Sequence, residues 1–378
     1  MPCDSVHAYF AGMNGLTFLA PVAFLADFYP FSETRDAQDL MWGGRTLGQQ
    51  WESQIPGPRA LNPLWIPSPE SVHLVRSLAP GTGWTHAGEP LAEHPLEGTS
   101  TRWSPVPVTP DVITRPTDLF LRCGEALEAD WEGTAEAWGA VAERDWPAHV
   151  TVIGPADRLR AHPSARALAC TFNTEAGPIV LGPNVEVQEG AHLRGPLALG
   201  AGTVVKMACR IAGPSAFGPE CRLGGELSNV VMHGYSNKGH DGFLGNSVLG
   251  SWCNLGADTN SSNLKSNYSP VRIWHHGKQA FEETDLQFCG LLMGDHAKCS
   301  INTMFNTATT VGTAAQVIGS GFPPKHVPSF SWGGGDGFEA YDFERFERTA
   351  EAVMARRNVV PTGDDRARWA AAYRAAQG

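Results

Sequence analysis

Apolar residues recur at every sixth position over much of the chain. One series consists of Leu181, Val187, Leu193, Leu199, Val205, Ile211, Phe217 and Leu223. A second series, two residues earlier, is small or apolar throughout: Ile179, Val185, Ala191, Leu197, Thr203, Cys209, Ser215 and Cys221. A period of six fits neither an α-helix nor an ordinary strand. It is typical of the hexapeptide repeat of a parallel β-helix, in which three six-residue sides form one coil and like side chains stack into an internal ladder.

The six-residue period is interrupted twice. From Leu223 the phase returns 20 residues later at Phe243, and the slip falls on Gly234 to Gly242. It continues through Leu249 and Leu255, and returns 38 residues later at Met293, Cys299, Phe305, Val311 and Val317. Both intervals exceed a multiple of 18 by two residues. Because insertions in a solenoid usually form loops on one working face, we expect the chemistry at these breaks.

The pattern predicts three regions. Residues 1–170 lack the six-residue period and alternate short apolar runs, Pro/Gly-rich connections and helical stretches such as 119–141, which predicts an α/β domain. Residues 171–325 form the β-helix. Residues 326–378 form a C-terminal helical extension, with predicted helices at 338–357 and 364–377 that cap the open end of the solenoid.

Composition narrows the class of protein. The chain has 378 residues and a net charge of −11, which argues against nucleic acid or an anionic membrane as the main partner. The eight cysteines include no Cys-x-x-Cys pair, and Cys209, Cys221 and Cys299 fall on ladder positions, as buried thiols in a reducing compartment would. The apolar run from Leu16 contains Pro21 and resembles neither a signal peptide nor a spanning helix. We therefore expect a cytoplasmic protein.

The first break carries a recognisable motif. It consists of the strings Gly-Tyr-Ser-Asn-Lys-Gly-His-Asp-Gly-Phe-Leu-Gly (234–245), Cys-Asn-Leu-Gly-Ala-Asp-Thr (253–259) and Ser-Asn-Leu-Lys (262–265). These strings resemble the hexapeptide acyltransferase domain of glucosamine-1-phosphate acetyltransferase/N-acetylglucosamine-1-phosphate uridyltransferase, and most closely a shortened bacterial branch of it. The intervals from His240 to Asn254 (14) and from Asn254 to Asn263 (9) match those of the family.

The resemblance implies a left-handed β-helix, a homotrimer and acetyl transfer from acetyl-CoA to an amino sugar 1-phosphate in UDP-N-acetylglucosamine biosynthesis. His240 is then the general base, a role that suits imidazole near neutral pH. Asn254 and Asn263 resemble the family's substrate- and acetyl-contacting asparagines, and Lys265 lies in the same motif. An asparagine ladder or turn cap is the alternative for both asparagines. Phe243 stands where the family has tyrosine, so a hydroxyl is lost.

A sugar phosphate also requires cations. Lys206, Arg210 and Lys238 are the candidates, and Arg210 holds the offset of the family's phosphate-binding arginine. Ser228 replaces the family's second basic residue. Each cation has an alternative as a solvated surface charge. A zinc-dependent carbonic anhydrase is disfavoured because the histidines of the β-helix show no pair at the expected five-residue spacing.

The N-terminal region resembles, more loosely, a reduced nucleotidyltransferase domain. Arg35 and Arg45 are its candidate nucleotide-binding cations. The segment Gly43-Gly44-Arg45-Thr46 either corresponds in part to a phosphate-binding glycine turn or is an ordinary turn. Mg²⁺ is expected only if this domain is active, with UTP as a further substrate. Three interpretations remain open: an acetyltransferase with or without uridyl transfer, a protein that is mainly a nucleotidyltransferase, and a non-catalytic scaffold that binds sugar nucleotides.

Overall fold

The computed structural model describes residues 9–11 (backbone), 15–21, 23–142 and 145–377. These residues form two compact units. The first takes the described residues up to Leu25 together with 35–40 and 45–115, and the second takes 26–34, 41–44 and those from 116 onward. The chain therefore passes between the units several times, and the single boundary that we expected at 170 is not where the structure divides.

The first unit is built on a six-stranded mixed sheet. In spatial order its strands are Tyr9–Ala11, Leu16–Leu19, Arg59–Leu61, Glu89–His94, Thr82–His86 and Arg102–Pro105. The first 115 residues also contain helices α1 (Phe24–Asp27), α2 (Leu47–Gln54) and α3 (Pro69–Arg76), 3₁₀ turns at Phe31–Glu33 and Ala37–Asp39, and short strands at Met41–Trp42 and Arg45–Thr46. Trp51 and Trp65 lie in the core of this unit, where the Trp51 indole N–H donates to the Trp65 carbonyl (2.7 Å).

The second unit contains a parallel β-helix with three faces. Face A holds Leu159–Ala161, Ile179–Leu181, Leu197–Leu199, Ser215–Phe217, the second halves of Glu226–Gly234 and Phe243–Ser251, Leu291–Met293, Thr309–Val311 and His326–Val327. Face B holds Arg166–Ala167, Glu186–Val187, Val204–Val205, Arg222–Leu223, Asn237–Lys238, Asn254–Leu255, Lys298–Cys299, Gln316–Val317 and Ser331–Gly334, and ends on the antiparallel strand Gly337–Ala340. Face C holds Thr151–Ile153, Thr171–Asn173, His192–Arg194, Arg210–Ala212, the first halves of the two long strands, and the pair Asn260–Ser261 and Met304–Phe305.

The six-residue ladder is confirmed. Parallel pairs such as Ile179 with Leu197, and Leu197 with Ser215, lie 18 positions apart. Both series of the predicted ladder, from Ile179 to Leu223, are buried throughout. The seven cysteines of the described residues are likewise buried free thiols. Cys3 lies outside the described residues.

The β-helix begins about one coil earlier than residue 171. Val152 pairs with Phe172, and Leu159 pairs with Ile179, in both cases 20 positions apart; Phe172 to Leu193 is 21. These first coils are longer than 18 residues. A search for a strict period of six therefore misses them.

The first break in the rhythm is a shortened coil, and our expectation of an inserted loop at 234–242 is wrong. Leu223 pairs with Lys238, only 15 positions on, and Leu227 pairs with Leu244. Lys238 thus occupies a ladder position. Leu244 is buried, while Phe243, which the phase placed inside, is half-exposed. The ladder therefore resumes at Leu244, one residue later than the sequence pattern predicted.

The second break is an inserted loop, as expected. Leu249 pairs with Met293 across the insertion. Within it, Arg272–His275 and Ala280–Glu283 form an antiparallel hairpin around a 3₁₀ turn at His276–Lys278. Outside this loop, a further 3₁₀ turn lies at Ala156–Arg158.

Face A is buried on both sides. Its outward residues Val180, Ala198, Ala216, Val231 and Val248 are as inaccessible as the ladder itself. Helices α4 (Thr117–Leu121) and α5 (Cys123–Trp138) belong to the same unit and lie against this face. The helix predicted at 119–141 is therefore present, but it belongs to the β-helical unit because an apolar outer face needs a covering layer.

The C-terminal helices α6 (Phe343–Ala355) and α7 (Gly363–Gln377) form as predicted. They do not cap the end of the solenoid. They pack along the corner between faces A and B, on a column formed by Tyr235, Trp252, His296, Ala314 and Phe330. Among the described helices, none has the combination of length and hydropathy that a membrane span requires.

Residues 26–34 contribute a half-buried carboxylate, Glu33, to the second unit. Glu33 accepts from the Ser329 hydroxyl (2.7 and 2.9 Å) and from the Thr313 backbone N–H (3.3 Å). The Tyr29 hydroxyl lies 3.2 Å from the Ser329 oxygen. Burial raises the pKa of Glu33 to about 6, even though both hydrogen bonds favour the ionised form.

This pKa predicts a pH-dependent stability. Because the folded state holds the proton more tightly than the unfolded chain, stability should fall as pH rises from about 4.5 to 6, by roughly 2 kcal/mol for this one group. Glu33→Gln should flatten that part of the profile, measured by urea unfolding between pH 4 and 7.5. Glu344→Gln, at a carboxylate whose side chain is 81% exposed, is the control. An unchanged slope in Glu33→Gln would contradict the assignment.

Candidate active site

His240 lies at the corner between faces B and C. The turn of residues 239–242 joins the strand Asn237–Lys238 to Phe243, and the His240 side chain is exposed. A Cβ built at Gly239 would lie 3.4 Å from the Lys206 Nζ, which is ordinary van der Waals contact. Lys206 of an earlier coil therefore reaches the turn that carries the histidine.

A cleft of about 720 Å³ opens beside this corner. His240, Asn254 and Lys206 line it together with two further groups of residues. One group lies in or beside face B: Arg222, Tyr235, Asn237, Gly239, Trp252, Leu255, Gly256, Ala257, Lys298 and Ile301. The other comes from α6 and the residues just after it: Val353, Arg356 and Arg357. The C-terminal end of α6 and the residues after it thus form a second wall of the cleft, in addition to face B.

The cleft is cationic. Arg222 and Arg357 approach the same carboxylate, Glu220, at 2.9 and 3.6 Å, and Arg357 also donates to the Asn237 side chain (3.3 Å). Within the part of the chain that the structure describes, Lys206 and Arg356 form no ion pair. Such a surplus of positive charge suits an anionic ligand.

Lys298 adds a further cation with an altered pKa. Its ammonium donates to the His296 carbonyl (2.9 Å), and burial lowers its pKa to about 8. At neutral pH it remains mostly protonated. It therefore adds to the positive charge of the cleft.

The asparagines form side-chain ladders. The Asn237 amide donates to the Asn254 side-chain oxygen (3.2 Å), and the Asn263 amide donates to that of Asn246 (2.7 Å). Asn254 faces the cleft, whereas Asn263 lies beside Phe243 on another corner and does not line the cleft formed by the described residues. The alternative of a structural ladder thus applies to both residues, and only Asn254 also reaches the cleft.

Lys238 is not available to a substrate. It is fully buried, and its ammonium donates to the carbonyls of His240 (2.6 Å) and Asp241 (3.1 Å). Burial lowers its pKa. Because Lys238 occupies a ladder position, its chain fills the coil while its charge binds the turn that carries His240. Its expected role in substrate binding is corrected to a structural one.

The remaining candidates of the β-helix lie elsewhere. Arg210 is exposed on face C, 3.6 Å from Glu226, and does not line the cleft formed by the described residues. Phe243 also lies on face C, where it pairs with Glu226. Lys265 lies in the inserted loop and donates to the Pro270 carbonyl (2.5 Å).

Arg35 and Arg45 belong to the first unit and are buried there. Arg45 donates to the Ser53 hydroxyl (3.1 Å), and the adjacent Thr46 caps helix α2. An arginine that binds a nucleotide phosphate needs a guanidinium that the ligand can reach for hydrogen bonding. The structure instead places both side chains in the interior, so their predicted role is not supported, and the Gly43–Thr46 segment fits the plain turn.

Sequence reasoning missed Arg222, Lys298, Arg356 and Arg357. Arg222 directly precedes the ladder residue Leu223, so the hexapeptide phase already places it outward on face B. Arg356 and Arg357 end a predicted helix, and no local pattern tells which face that helix covers.

Comparison with known proteins adds little. No family model matches the chain, and no curated protein matches it. Among solved structures, the polySia-specific acetyltransferase NeuO is 10% identical over 51% of this chain and 87% of its own, with a TM-score of 0.29. AntD, an N-acyltransferase from Bacillus cereus in complex with dTDP and 3-hydroxybutyryl-CoA, is 10% identical over 55% and 91%, with a TM-score of 0.23. Similarities this weak carry no argument about activity.

The structural role of Lys238 is testable. Lys238→Ala should lower the free energy of unfolding by about 2–4 kcal/mol, because it leaves a cavity and two unpaired carbonyls. Urea unfolding measures this loss. Lys206→Ala, at a lysine that faces the cleft, should unfold like the wild type. If Lys238→Ala kept full stability and only weakened substrate binding, the original assignment would be restored.

Proposed function

We propose that the protein transfers the acetyl group of acetyl-CoA to the amine of an amino sugar phosphate, with glucosamine 1-phosphate as the first candidate. The observation that carries this proposal is that His240 lines one cleft with Asn254 and an excess of cations. The motif spacing supports the same activity independently. A left-handed coil and a homotrimer, which the family resemblance implies, belong to the proposal.

The chemistry needs a base near the attacking nitrogen. As the amine forms a bond to the thioester carbon, it must lose a proton, and we assign the His240 imidazole as the group that accepts it. The tetrahedral intermediate then expels CoA as a thiolate, which takes the proton from the His240 imidazolium and leaves as the thiol, so that the neutral imidazole is restored. Among the described residues, none is hydrogen-bonded to the His240 ring, so the ring is free to face a substrate.

The cations of the cleft suit the phosphate. Lys206 reaches the His240 turn, and Arg356 adds a planar guanidinium from the other wall. A phosphate held between them would place the sugar within the same cleft as the imidazole. Arg210, which resembles the family's phosphate ligand, offers an alternative position on face C.

The first test is an activity assay with a histidine variant. The protein is incubated with acetyl-CoA and a panel of amino sugar phosphates, with and without UTP and Mg²⁺, and products are identified by mass. His240→Ala should lower acetyl transfer about 10²- to 10⁴-fold, the usual contribution of a general base, without loss of stability. His192→Ala, at another exposed histidine of the solenoid, is the control.

Any other outcome of that assay would contradict the role of His240 or favour one of the alternative functions. Turnover by His240→Ala at the wild-type rate would remove this residue from the mechanism. A uridylated product without acetylation would favour the nucleotidyltransferase alternative. Sugar nucleotide binding with no product from any substrate would favour the non-catalytic scaffold.

The side on which the phosphate is held can be tested separately. Lys206→Ala should raise KM for the sugar phosphate on the order of tenfold while changing kcat little, because it removes binding common to ground and transition states. Arg210→Ala should leave KM unchanged. The reverse result would place the phosphate on face C, as the family resemblance suggests.

A further inference from the structure

The hairpin in the inserted loop forms a second pocket on a different corner of the solenoid. This hairpin pocket, of about 270 Å³, is lined by Arg272, Trp274 and Phe281 of the hairpin and by Pro324, Lys325 and His326 of the last coil. It shares no lining residue with the cleft of His240. Neither the proposed acetyl transfer nor the catalytic motif accounts for it.

Positive charge converges on the hairpin pocket. Lys325 forms no ion pair within the described chain, and burial together with the nearby charges of Lys265 and Arg272 lowers its pKa. The carboxylate found near Arg272 is Glu283, at 3.8 Å, and its side chain is 79% exposed, so it screens that charge weakly. Holding like charges together costs free energy, and a bound anion offsets that cost.

The rest of the pocket is planar and apolar. The Trp274 and His326 rings stack at 3.9 Å with an angle of 10°, and Phe281 meets the Trp274 ring edge-on at 5.3 Å. Burial lowers the pKa of His326 to about 4, so its ring is neutral at physiological pH and belongs to this wall. Phe281 is 37% exposed. Partly exposed aromatic rings beside cations suit a ligand that carries both a flat ring and a phosphate.

We propose that the hairpin pocket binds a nucleotide, with its phosphate held by Arg272 and Lys325 and its base against the wall of Trp274 and Phe281. Lys265, which the motif analysis selected, acts here by adding to the positive potential. The nucleotide has two possible sources. It is either a free nucleoside phosphate or the phosphorylated adenosine end of a CoA molecule.

Isothermal titration calorimetry on the full chain tests the proposal. ADP, adenosine 3′,5′-bisphosphate, adenosine and inorganic phosphate are titrated separately, without acetyl-CoA. The two phosphorylated nucleosides should bind more tightly than adenosine or phosphate alone. The double variant Arg272→Gln/Lys325→Met should weaken their binding on the order of tenfold or more, and Phe281→Ala should also weaken it. Lys278→Met, on the same hairpin but outside the pocket lining, is the control.

The outcomes separate this inference from the acetyl-transfer proposal. His240→Ala should bind ADP as the wild type does, whether or not acetyl transfer exists. If the double variant also raises KM for acetyl-CoA, the ligand is the nucleotide end of CoA; an unchanged KM with ADP binding lost identifies a free nucleotide. Wild-type ADP affinity in a folded double variant would overturn the proposal, as would binding of inorganic phosphate as tight as that of ADP.

Discussion

The structure depends on one constraint, which is that each coil must place its inward side chains in register with those of the coils above and below. Pairs such as Val187 with Val205, and Leu193 with Ile211, show how strictly the stack is kept. Because these side chains fill the interior, the solenoid has no room for a ligand inside. Functional groups are therefore confined to corners and outer faces. His240 on a corner, and a cleft outside face B, follow from this packing.

The shortened coil shows how the constraint is met without an apolar side chain. Lys238 fills the ladder with its methylene chain, and its ammonium satisfies two carbonyls of the turn that bears His240. A buried cation is costly unless it is paired or hydrogen-bonded. The two carbonyls of one tight turn supply those bonds, so the same side chain holds both the ladder and the corner that carries His240.

Sequence reasoning succeeded where the period was strict and failed where coil length changed. The two ladders from Ile179 to Leu223 were predictable because each coil there has 18 residues. The first coils, near Val152, and the short coil at Lys238 break that length. A search for apolar residues also assigns a lysine to a loop, even where its side chain occupies the ladder. Lys206, His240 and Asn254 were found because they are close to the motif in sequence or phase. Arg356 and Arg357 were missed because only tertiary packing brings them to the cleft.

That packing has an identifiable cause. Tyr235, Trp252 and Phe330 occupy left-handed corner positions (φ 54°, 64° and 51°), where a large side chain costs free energy relative to glycine or asparagine. Burial of these rings under α6 and α7 offsets the cost, since each aromatic side chain removes a large apolar area from water. The aromatic corner thus selects the position of α6, and α6 carries Arg356 and Arg357 to the edge of face B. A packing preference on one corner thereby adds two arginines to a cleft that extends to the next corner.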